Sequence, residues 1–220
     1  GQLQNALSET TQMLERFPNS VVLYNIAGAS NAGLKQFDAA IACYKQALKI
    51  KPGFADAYYN MGNALRDKGD LEAAIESYKK ALEIKPDYVE AYYNMGLALQ
   101  DKGDSEAAIN CHKQALKIKP YYAQAYNNMG IALKDKGDTE AAIETYKKAL
   151  KIKPDYAEAY NNMGFALRDK GDSEAAIESF KKALKIKPDY AEAYNNMGNA
   201  LNDKGDSEAA IESYKKALKI

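Results

Sequence analysis

The chain has 220 residues, and its 30 lysines and arginines balance its 30 aspartates and glutamates. A neutral chain lacks the basic surface that attracts nucleic acid or an acidic membrane, so we expect neither as a partner. No apolar run approaches the roughly 18 residues that span a bilayer. All six prolines, from Pro18 to Pro188, lie 34 residues apart, and a fixed period of this length indicates an array of repeats.

The first predicted element is a helix over residues 2–17. It looks like the second helix of a truncated repeat that occupies residues 1–20. Repeats of two helices, A and B, follow, and the last of them lacks its terminal turn. Their predicted ranges are 21–54, 55–88, 89–122, 123–156, 157–190 and 191–220. Repeat 21–54 is the most divergent, because Asn31 and Lys35 stand where later repeats have leucine and glycine.

Repeat 157–190 shows the pattern of helix A most clearly. Tyr160, Met163 and Leu167 recur at helical spacing and predict one buried face. Gly171 follows Lys170 as a left-handed residue after a helix end would. A glycine also stands in the middle of helix A in every repeat, at Gly164 here. Because glycine costs about 1 kcal/mol in a helix relative to alanine, its recurrence predicts a close approach that a Cβ would prevent, with small helix-B residues such as Ala74 and Ala81 completing the crossing.

Helix B of the same repeat is predicted to begin at an N-cap, Asp172, and to end before Pro188. Asp189 and Glu192 then have the spacing of a capping box for the next helix A. Glutamate and lysine four residues apart on helix B predict ion pairs on a solvated face. These pairs are Glu76–Lys80, Glu144–Lys148, Glu178–Lys182 and Glu212–Lys216.

These residues resemble the tetratricopeptide repeat, whose signature is Trp-x2-Leu-Gly-x2-Tyr, then Ala-x3-Phe, Ala and Pro. In this chain Tyr, Met and Leu replace the signature Trp, Leu and Tyr. The matching residues are Tyr160, Met163, Gly164, Leu167, Ala176, Phe180, Ala183 and Pro188. The resemblance covers essentially the whole chain. It implies an all-α fold, a right-handed α-solenoid of antiparallel helix pairs, in which helices A line a concave groove and helices B form the back.

An asparagine recurs once per repeat on the groove side of helix A. This asparagine ladder comprises Asn60, Asn94, Asn128, Asn162 and Asn196. An amide both donates and accepts hydrogen bonds, so the ladder can hold the backbone of a bound peptide. It is similar to the ladder in the repeat domain of O-linked N-acetylglucosamine transferases, which implies that role. The alternative is a hydrogen bond between neighbouring repeats.

Three further features of helix A are candidate peptide-binding residues. An apolar stripe of Leu97, Ile131 and Phe165 indicates an interaction site if it is exposed, whereas side chains tucked between adjacent helices would indicate packing. Tyr59 and Tyr93 precede two ladder asparagines and are suited to anchor a partner. Arg168, on the same predicted groove face of helix A, is the last candidate peptide-binding residue.

Repeats 157–190 and 191–220 differ at only three of their thirty shared positions. The differences are Phe165/Asn199, Arg168/Asn202 and Phe180/Tyr214. Because two of them fall on the predicted groove, they fit a recognition surface on a fixed scaffold. They fit equally well with drift after duplication or with design on a consensus.

Catalytic chemistry has little support in the sequence. His112 takes the helix-B position of Tyr78 and Tyr146, which predicts a place in the core. Cys43 and Cys111 occupy equivalent positions two repeats apart, too far for a disulfide. We therefore expect no enzyme, no cofactor and no metal site.

The sequence favours a non-catalytic scaffold that binds an extended or partly helical segment of another protein in its groove. Two alternatives stay open. One is a structural scaffold that self-associates through uncapped ends, and the other is the substrate-selecting domain of a larger glycosyltransferase. Without a visible signal peptide, and with unpaired cysteines, a cytoplasmic location is expected.

Overall fold

The computed structural model describes residues 1–220 and contains thirteen α-helices and no strand. The predicted all-α solenoid of helix pairs is confirmed. No helix is long and apolar enough to cross a membrane. The helices are α1 Gln2–Arg16, α2 Val21–Gly33, α3 Phe37–Ile50, α4 Ala55–Lys68, α5 Leu71–Ile84, α6 Val89–Asp101, α7 Ser105–Ile118, α8 Ala123–Asp135, α9 Thr139–Ile152, α10 Ala157–Asp169, α11 Ser173–Ile186, α12 Ala191–Asp203 and α13 Ser207–Ala217.

The chain forms two compact units, Gly1–Ile118 and Lys119–Ile220. The first holds α1 to α7 and the second holds α8 to α13. Within each unit the helices pack in chain order, so that every helix contacts the one before it and the one after it. Within each unit, helices A of neighbouring repeats also touch: α2 contacts α4, α4 contacts α6, α8 contacts α10 and α10 contacts α12. These contacts between successive helices A place the candidate functional residues beside one another.

The turn between helices A and B has the predicted caps. Gly171 adopts a φ of 89°, which a side chain would disfavour, and its N–H donates to the carbonyl of Arg168 at 2.8 Å. The Asp172 carboxylate then accepts from the N–H of Ala175 at 3.1 Å and starts α11. The same aspartate cap recurs at Asp70, Asp104, Asp138 and Asp206.

The predicted capping box at the start of helix A is wrong. The N-cap of α12 is Tyr190, and its side chain makes no capping hydrogen bond. The turn closes instead through the Tyr190 N–H, which donates to the carbonyl of Lys187 at 3.2 Å. Because the Tyr190 ring packs against Ala183, Leu184 and Ala193, core packing rather than a carboxylate sets where this helix begins.

The mid-helix glycine makes the predicted close approach, but its partner is an aromatic ring and not a pair of alanines. A Cβ on Gly164 would lie 2.7 Å from Cε1 of Phe180, closer than carbon atoms pack. Phe180 is fully buried. The ring of helix B therefore packs directly against bare backbone of helix A. The same contact joins Gly28 to Tyr44, Gly62 to Tyr78, Gly96 to His112, Gly130 to Tyr146 and Gly198 to Tyr214.

The exposed face of helix B carries ion pairs, but only one of the four predicted pairs forms. Glu212 does pair with Lys216 at 3.1 Å, four residues on. Glu144 and Glu178 instead pair with the lysine three residues on, at 2.7 and 2.9 Å. Lys80 pairs with Glu83 at 3.0 Å and not with Glu76, and Lys148 forms no ion pair. All these groups are solvated, so each pair contributes little to stability.

Gly164→Ala tests the contact between glycine and ring. Alanine is the better helix former by about 1 kcal/mol. We nevertheless expect a net loss of up to about 2 kcal/mol in the free energy of unfolding, because overpacking a buried ring costs about 1–3 kcal/mol and exceeds the gain in helix propensity. Urea denaturation followed by circular dichroism measures the change. In a Phe180→Leu background the ring is absent, so the same substitution should be neutral or stabilising. Equal losses in both backgrounds would show that the ring is not the obstacle.

Candidate functional site

The candidate binding residues lie on helices A, namely α4, α6, α8, α10 and α12. The side-chain amide of every ladder asparagine contacts another side chain. In the second unit, Nδ2 of Asn162 donates to Oδ1 of Asn127 at 3.0 Å. Nδ2 of Asn196 donates to Oδ1 of Asn161 at 3.1 Å. Asn127 and Asn161 are only 4% and 2% exposed. The ladder in this unit thus joins α10 to α8 and α12 to α10.

The first unit repeats this arrangement with other acceptors. Nδ2 of Asn60 donates to Oδ1 of Asn25 at 3.1 Å. Nδ2 of Asn94 donates to the Tyr59 hydroxyl at 3.0 Å and to Oδ1 of Asn63 at 2.8 Å. The hydrogen bond between repeats, which the sequence left as an alternative, is therefore present in both units.

Three of the ladder amides have a side-chain oxygen that makes no hydrogen bond. Oδ1 of Asn60, Asn94 and Asn162 makes no hydrogen bond, whereas Oδ1 of Asn128 accepts from Nδ2 of Asn127 at 3.3 Å. Three half-buried ladder side chains thus keep a free acceptor while their donor holds the neighbouring helix. Stacking of repeats and binding of a ligand are compatible at these positions.

Tyr59 and Tyr93 belong partly to the packing between helices. The Tyr59 ring centroid lies 4.9 Å from that of Tyr88 and 6.1 Å from that of Tyr78. The Tyr93 ring lies 5.8 Å from the ring of His112. Both tyrosines are half-buried, so only part of each ring is open to a partner.

The apolar stripe is half-buried, and two of its residues pack against the cluster that contains the helix-B ring of their own repeat. Ile131 packs against the cluster that contains Tyr146, and Phe165 packs against the cluster that contains Phe180. Where an asparagine occupies the stripe position, it accepts from the tyrosine of its own repeat at 2.8 Å. These pairs are Tyr78 with Asn63 and Tyr214 with Asn199.

This contact explains two of the three differences between repeats 157–190 and 191–220. Phe165 and Phe180 form an apolar pair, whereas Asn199 and Tyr214 form a hydrogen-bonded pair, so the two positions change together. The third difference removes an ion pair, because Nε of Arg168 contacts Oδ2 of Asp203 on the next helix A. Internal compensation thus accounts for part of what the sequence suggested was a recognition surface.

The second unit contains a pocket that brings several of the predicted residues together. Its volume is about 220 Å³, and it is lined by Ile131, Lys134, Asp135, Tyr146, Asn162, Phe165 and Glu192. We call it the groove pocket. Nζ of Lys134 lies 4.3 Å from the centroid of the Phe165 ring, which forms one wall. The Tyr146 hydroxyl makes no hydrogen bond, unlike that of Tyr78 or Tyr214. Sequence reasoning missed this hydroxyl, although Ile131 opposite Tyr146 signals it.

His112 and Cys111 lie in the core, as the repeat position of His112 predicts. Burial lowers the pKa of His112 to about 4 and raises the pKa of Cys111 to about 11. Nε2 of His112 lies 2.9 Å from Oε1 of Gln100. Cys43 and Cys111 are both free thiols, and no cluster of three metal-binding side chains occurs.

Comparison with known proteins gives a consistent result along the chain. A family described as TPR repeat matches residues 34–65, 62–103, 98–137, 132–171 and 166–203. A family described as tetratricopeptide repeat matches residues 191–220. A 70-residue segment is 36% identical to the probable UDP-N-acetylglucosamine–peptide N-acetylglucosaminyltransferase SEC of Arabidopsis thaliana. That segment is 32% of this chain and spans only 7% of the SEC protein.

Solved structures share the fold. A crystal structure of MamA protein is 33% identical, covers 75% of this chain and 90% of its own, and has a TM-score of 0.68. YrrB, a TPR protein described as having an unusual peptide-binding site, is 24% identical over 84% of this chain and 95% of its own, with a TM-score of 0.70. The Cut9–Hcn1 assembly of APC/C matches 99% of this chain and 43% of its own at a TM-score of 0.76 and 18% identity.

The lowered pKa of His112 makes stability pH-dependent. The folded value is about 4 and the unfolded value is about 6.5. Protons therefore bind the unfolded chain first, and stability falls as pH drops from 6.5 towards 4. When the pH is lowered from 7 to 5, protonation of His112 should reduce the free energy of unfolding by about 2 kcal/mol. We expect His112→Phe to lose that much less stability over the same pH range. Urea denaturation of both proteins at the two pH values measures it. Identical pH profiles would mean that the imidazole titrates normally.

Proposed function

The chain belongs to the tetratricopeptide repeat family, and from this premise we propose that it is a non-catalytic scaffold for protein interactions. In this proposal the repeats delimited in the sequence present helices A to an extended or partly helical segment of another protein. The same fold carries a peptide-binding site in YrrB. The observation that supports the proposal most strongly is the groove pocket of the second unit.

The groove pocket offers the groups that a peptide needs. Oδ1 of Asn162 is free to accept from a peptide N–H, and the Tyr146 hydroxyl is free to donate to a peptide carbonyl. Ile131 and Phe165 form apolar walls that can receive a side chain. A donor, an acceptor and an apolar surface in one pocket fit a peptide backbone with a single side chain inserted.

Other candidate residues extend this site less directly. Asn60 and Asn94 present the same free oxygen in the first unit, and Leu97 supplies an apolar side chain there. Because Nε of Arg168 already contacts Asp203, we propose that it borders the groove and does not anchor the peptide. Tyr59 and Tyr93 then contribute the exposed parts of their rings to the contact with the peptide.

A non-catalytic role fits the chemistry of the titratable groups. The histidine is buried with a pKa of about 4, so at neutral pH it is a neutral core side chain and an unsuitable general base. The buried cysteine has a pKa of about 11 and is therefore a thiol, not a thiolate nucleophile.

A self-associating scaffold is the second candidate, and one observation favours it. Ile211 on α13 is 52% exposed, and Leu218, which directly follows α13, is 87% exposed. The equivalent residues on α11, Ile177 and Leu184, are 6% and 9% exposed because α12 covers them. The apolar face of α13 is thus one that a second copy of this chain can cover.

The glycosyltransferase alternative depends on the similarity to SEC. It makes the chain a substrate-selecting domain, in which the same groove would hold the protein to be modified. Because the matched segment is 7% of the length of SEC, an associated transferase activity is a proposal of its own.

Tyr146→Phe tests the groove pocket with the least disturbance, because the hydroxyl has no structural hydrogen bond to lose. A peptide selected from a random 12-residue phage library and labelled with fluorescein serves as the probe. We expect its affinity to fall about 2–10-fold, as one hydrogen bond is worth about 0.5–1.5 kcal/mol. The urea midpoint should not change. Ile131→Asp should weaken the same peptide further, whereas Lys147→Gln on the exposed face of α9 changes the net charge by the same amount and is the control.

Asn162 provides a second arm that separates stacking from binding. Asn162→Ala removes both the donor to Asn127 and the free oxygen, so stability and affinity should both fall. Asn162→Asp keeps acceptor oxygens but loses the donor, so stability should fall while affinity is retained. Equal loss of affinity in both variants, with Tyr146→Phe unaffected, would assign the ladder to stacking alone and overturn the proposed site.

Self-association has its own test in sedimentation velocity. If the face of α13 joins two copies, the weight-average mass should rise with protein concentration, and the double variant Ile211→Lys, Leu218→Lys should abolish the rise. A single species of 24.2 kDa at all concentrations would contradict this candidate.

A further inference from the structure

Tyr121 is an exception to the repeat. It lies in the turn before α8 and is 82% exposed. Three other repeats carry aspartate at this position, Asp87, Asp155 and Asp189. An aromatic side chain this exposed leaves apolar area in water, which is typical of a residue that contacts a partner.

Tyr121 borders a second pocket, with a volume of about 610 Å³. Its lining comes from the turn before α8, the first turns of α8 and the end of α9, and shares no residue with the groove pocket. We call it the turn pocket. Its lining residues are Pro120, Tyr121, Tyr126, Lys148, Lys151 and Ile152. Tyr126 packs against Ala149 and Leu150, so this wall is anchored in the core.

The next repeat provides a natural comparison. Five of the six lining positions are identical there, and only Tyr121 differs, being replaced by Asp155. The identical residues are Pro154, Tyr160, Lys182, Lys185 and Ile186. One substitution has thus removed a carboxylate from the turn and added an aromatic ring.

The two lysines of the turn pocket are free to bind an anion. Glu144 is paired with Lys147 at 2.7 Å, and neither Lys148 nor Lys151 forms an ion pair. The equivalent Lys182 in the next repeat lies 5.7 Å from the centroid of the Tyr160 ring. No acidic side chain lines the turn pocket, which combines an apolar floor with two positive charges.

We propose that the turn pocket is a second docking site, for a protein segment in which an apolar side chain is flanked by acidic residues. The apolar side chain packs between Tyr121, Pro120 and Ile152, and the acidic residues contact Lys148 and Lys151. This site is independent of the groove pocket, because a ligand in one leaves the other open.

The probe is an array of synthetic nine-residue peptides with a central Leu, Phe or Trp flanked by Asp and Glu. Matched arrays replace the acids by Lys, or the central residue by Ser. We expect binding of the acidic apolar set only, and a loss of about tenfold or more in Tyr121→Asp, as for a buried aromatic anchor. The reciprocal Asp155→Tyr should create a second site and raise the peptide stoichiometry measured by calorimetry. Ile131→Asp, in the groove pocket, should leave this binding unchanged.

Each contrary outcome points elsewhere. Equal binding of the Ser-substituted peptides would mean simple charge attraction to lysines and would overturn the proposal. Unchanged affinity in Tyr121→Asp would do the same. Loss of binding in Ile131→Asp with Tyr121→Asp unaffected would assign the peptides to the groove, supporting the proposed function while refuting this second site.

Discussion

The contact between the mid-helix glycine and the helix-B ring is the constraint on which the rest of each repeat depends. The ring can pack against helix A only where no Cβ intervenes, and a Cβ on Gly130, for example, would lie 2.5 Å from Tyr146. The far end of the ring then reaches the stripe position of the same helix A. The residue at the stripe position then decides whether a ring hydroxyl is bonded: Asn63 and Asn199 accept from the hydroxyl of their own tyrosine, whereas Ile131 leaves the Tyr146 hydroxyl without a partner.

A second layer of contacts runs from repeat to repeat. The amides of Asn60 and Asn162 donate to the preceding helix A, and their side-chain oxygens make no hydrogen bond, so in the proposed function one side chain would serve both stacking and binding. In a fold in which each repeat contacts only its neighbours, such bonds add to the packing of helix B against the next helix A in coupling one repeat to the next.

The sequence predicted the elements that follow from local chemistry. Helical spacing, the Asp172 cap and the Gly171 turn follow directly from side-chain type, and all are present. The capping box at Asp189 did not form because core packing of Tyr190 decides the helix start, which no local pattern reveals. The hydrogen-bond partners of the ladder asparagines were not predictable either. An asparagine that recurs once per repeat gives the same sequence pattern whether its amide binds a neighbouring helix or a ligand. The sequence does show that the positions of Asn199 and Tyr214, fifteen residues apart, both differ from the preceding repeat. Their hydrogen bond could be inferred from this only once the ring was known to pack across helix A.

The pairing of stripe and ring also bears on how such an array can evolve by recombination. Repeats 157–190 and 191–220 differ at three of thirty positions, so their coding sequences can misalign and cross over. A crossover in the proline turn moves Asn199 and Tyr214 together and preserves their hydrogen bond. A crossover in the glycine turn between helices A and B joins Phe165 to Tyr214 and frees the hydroxyl. That combination resembles Ile131 with Tyr146, an apolar residue opposite a hydroxyl without a hydrogen bond. The position of the crossover therefore decides whether the tyrosine hydroxyl of the new repeat is bonded within the repeat or remains a free donor.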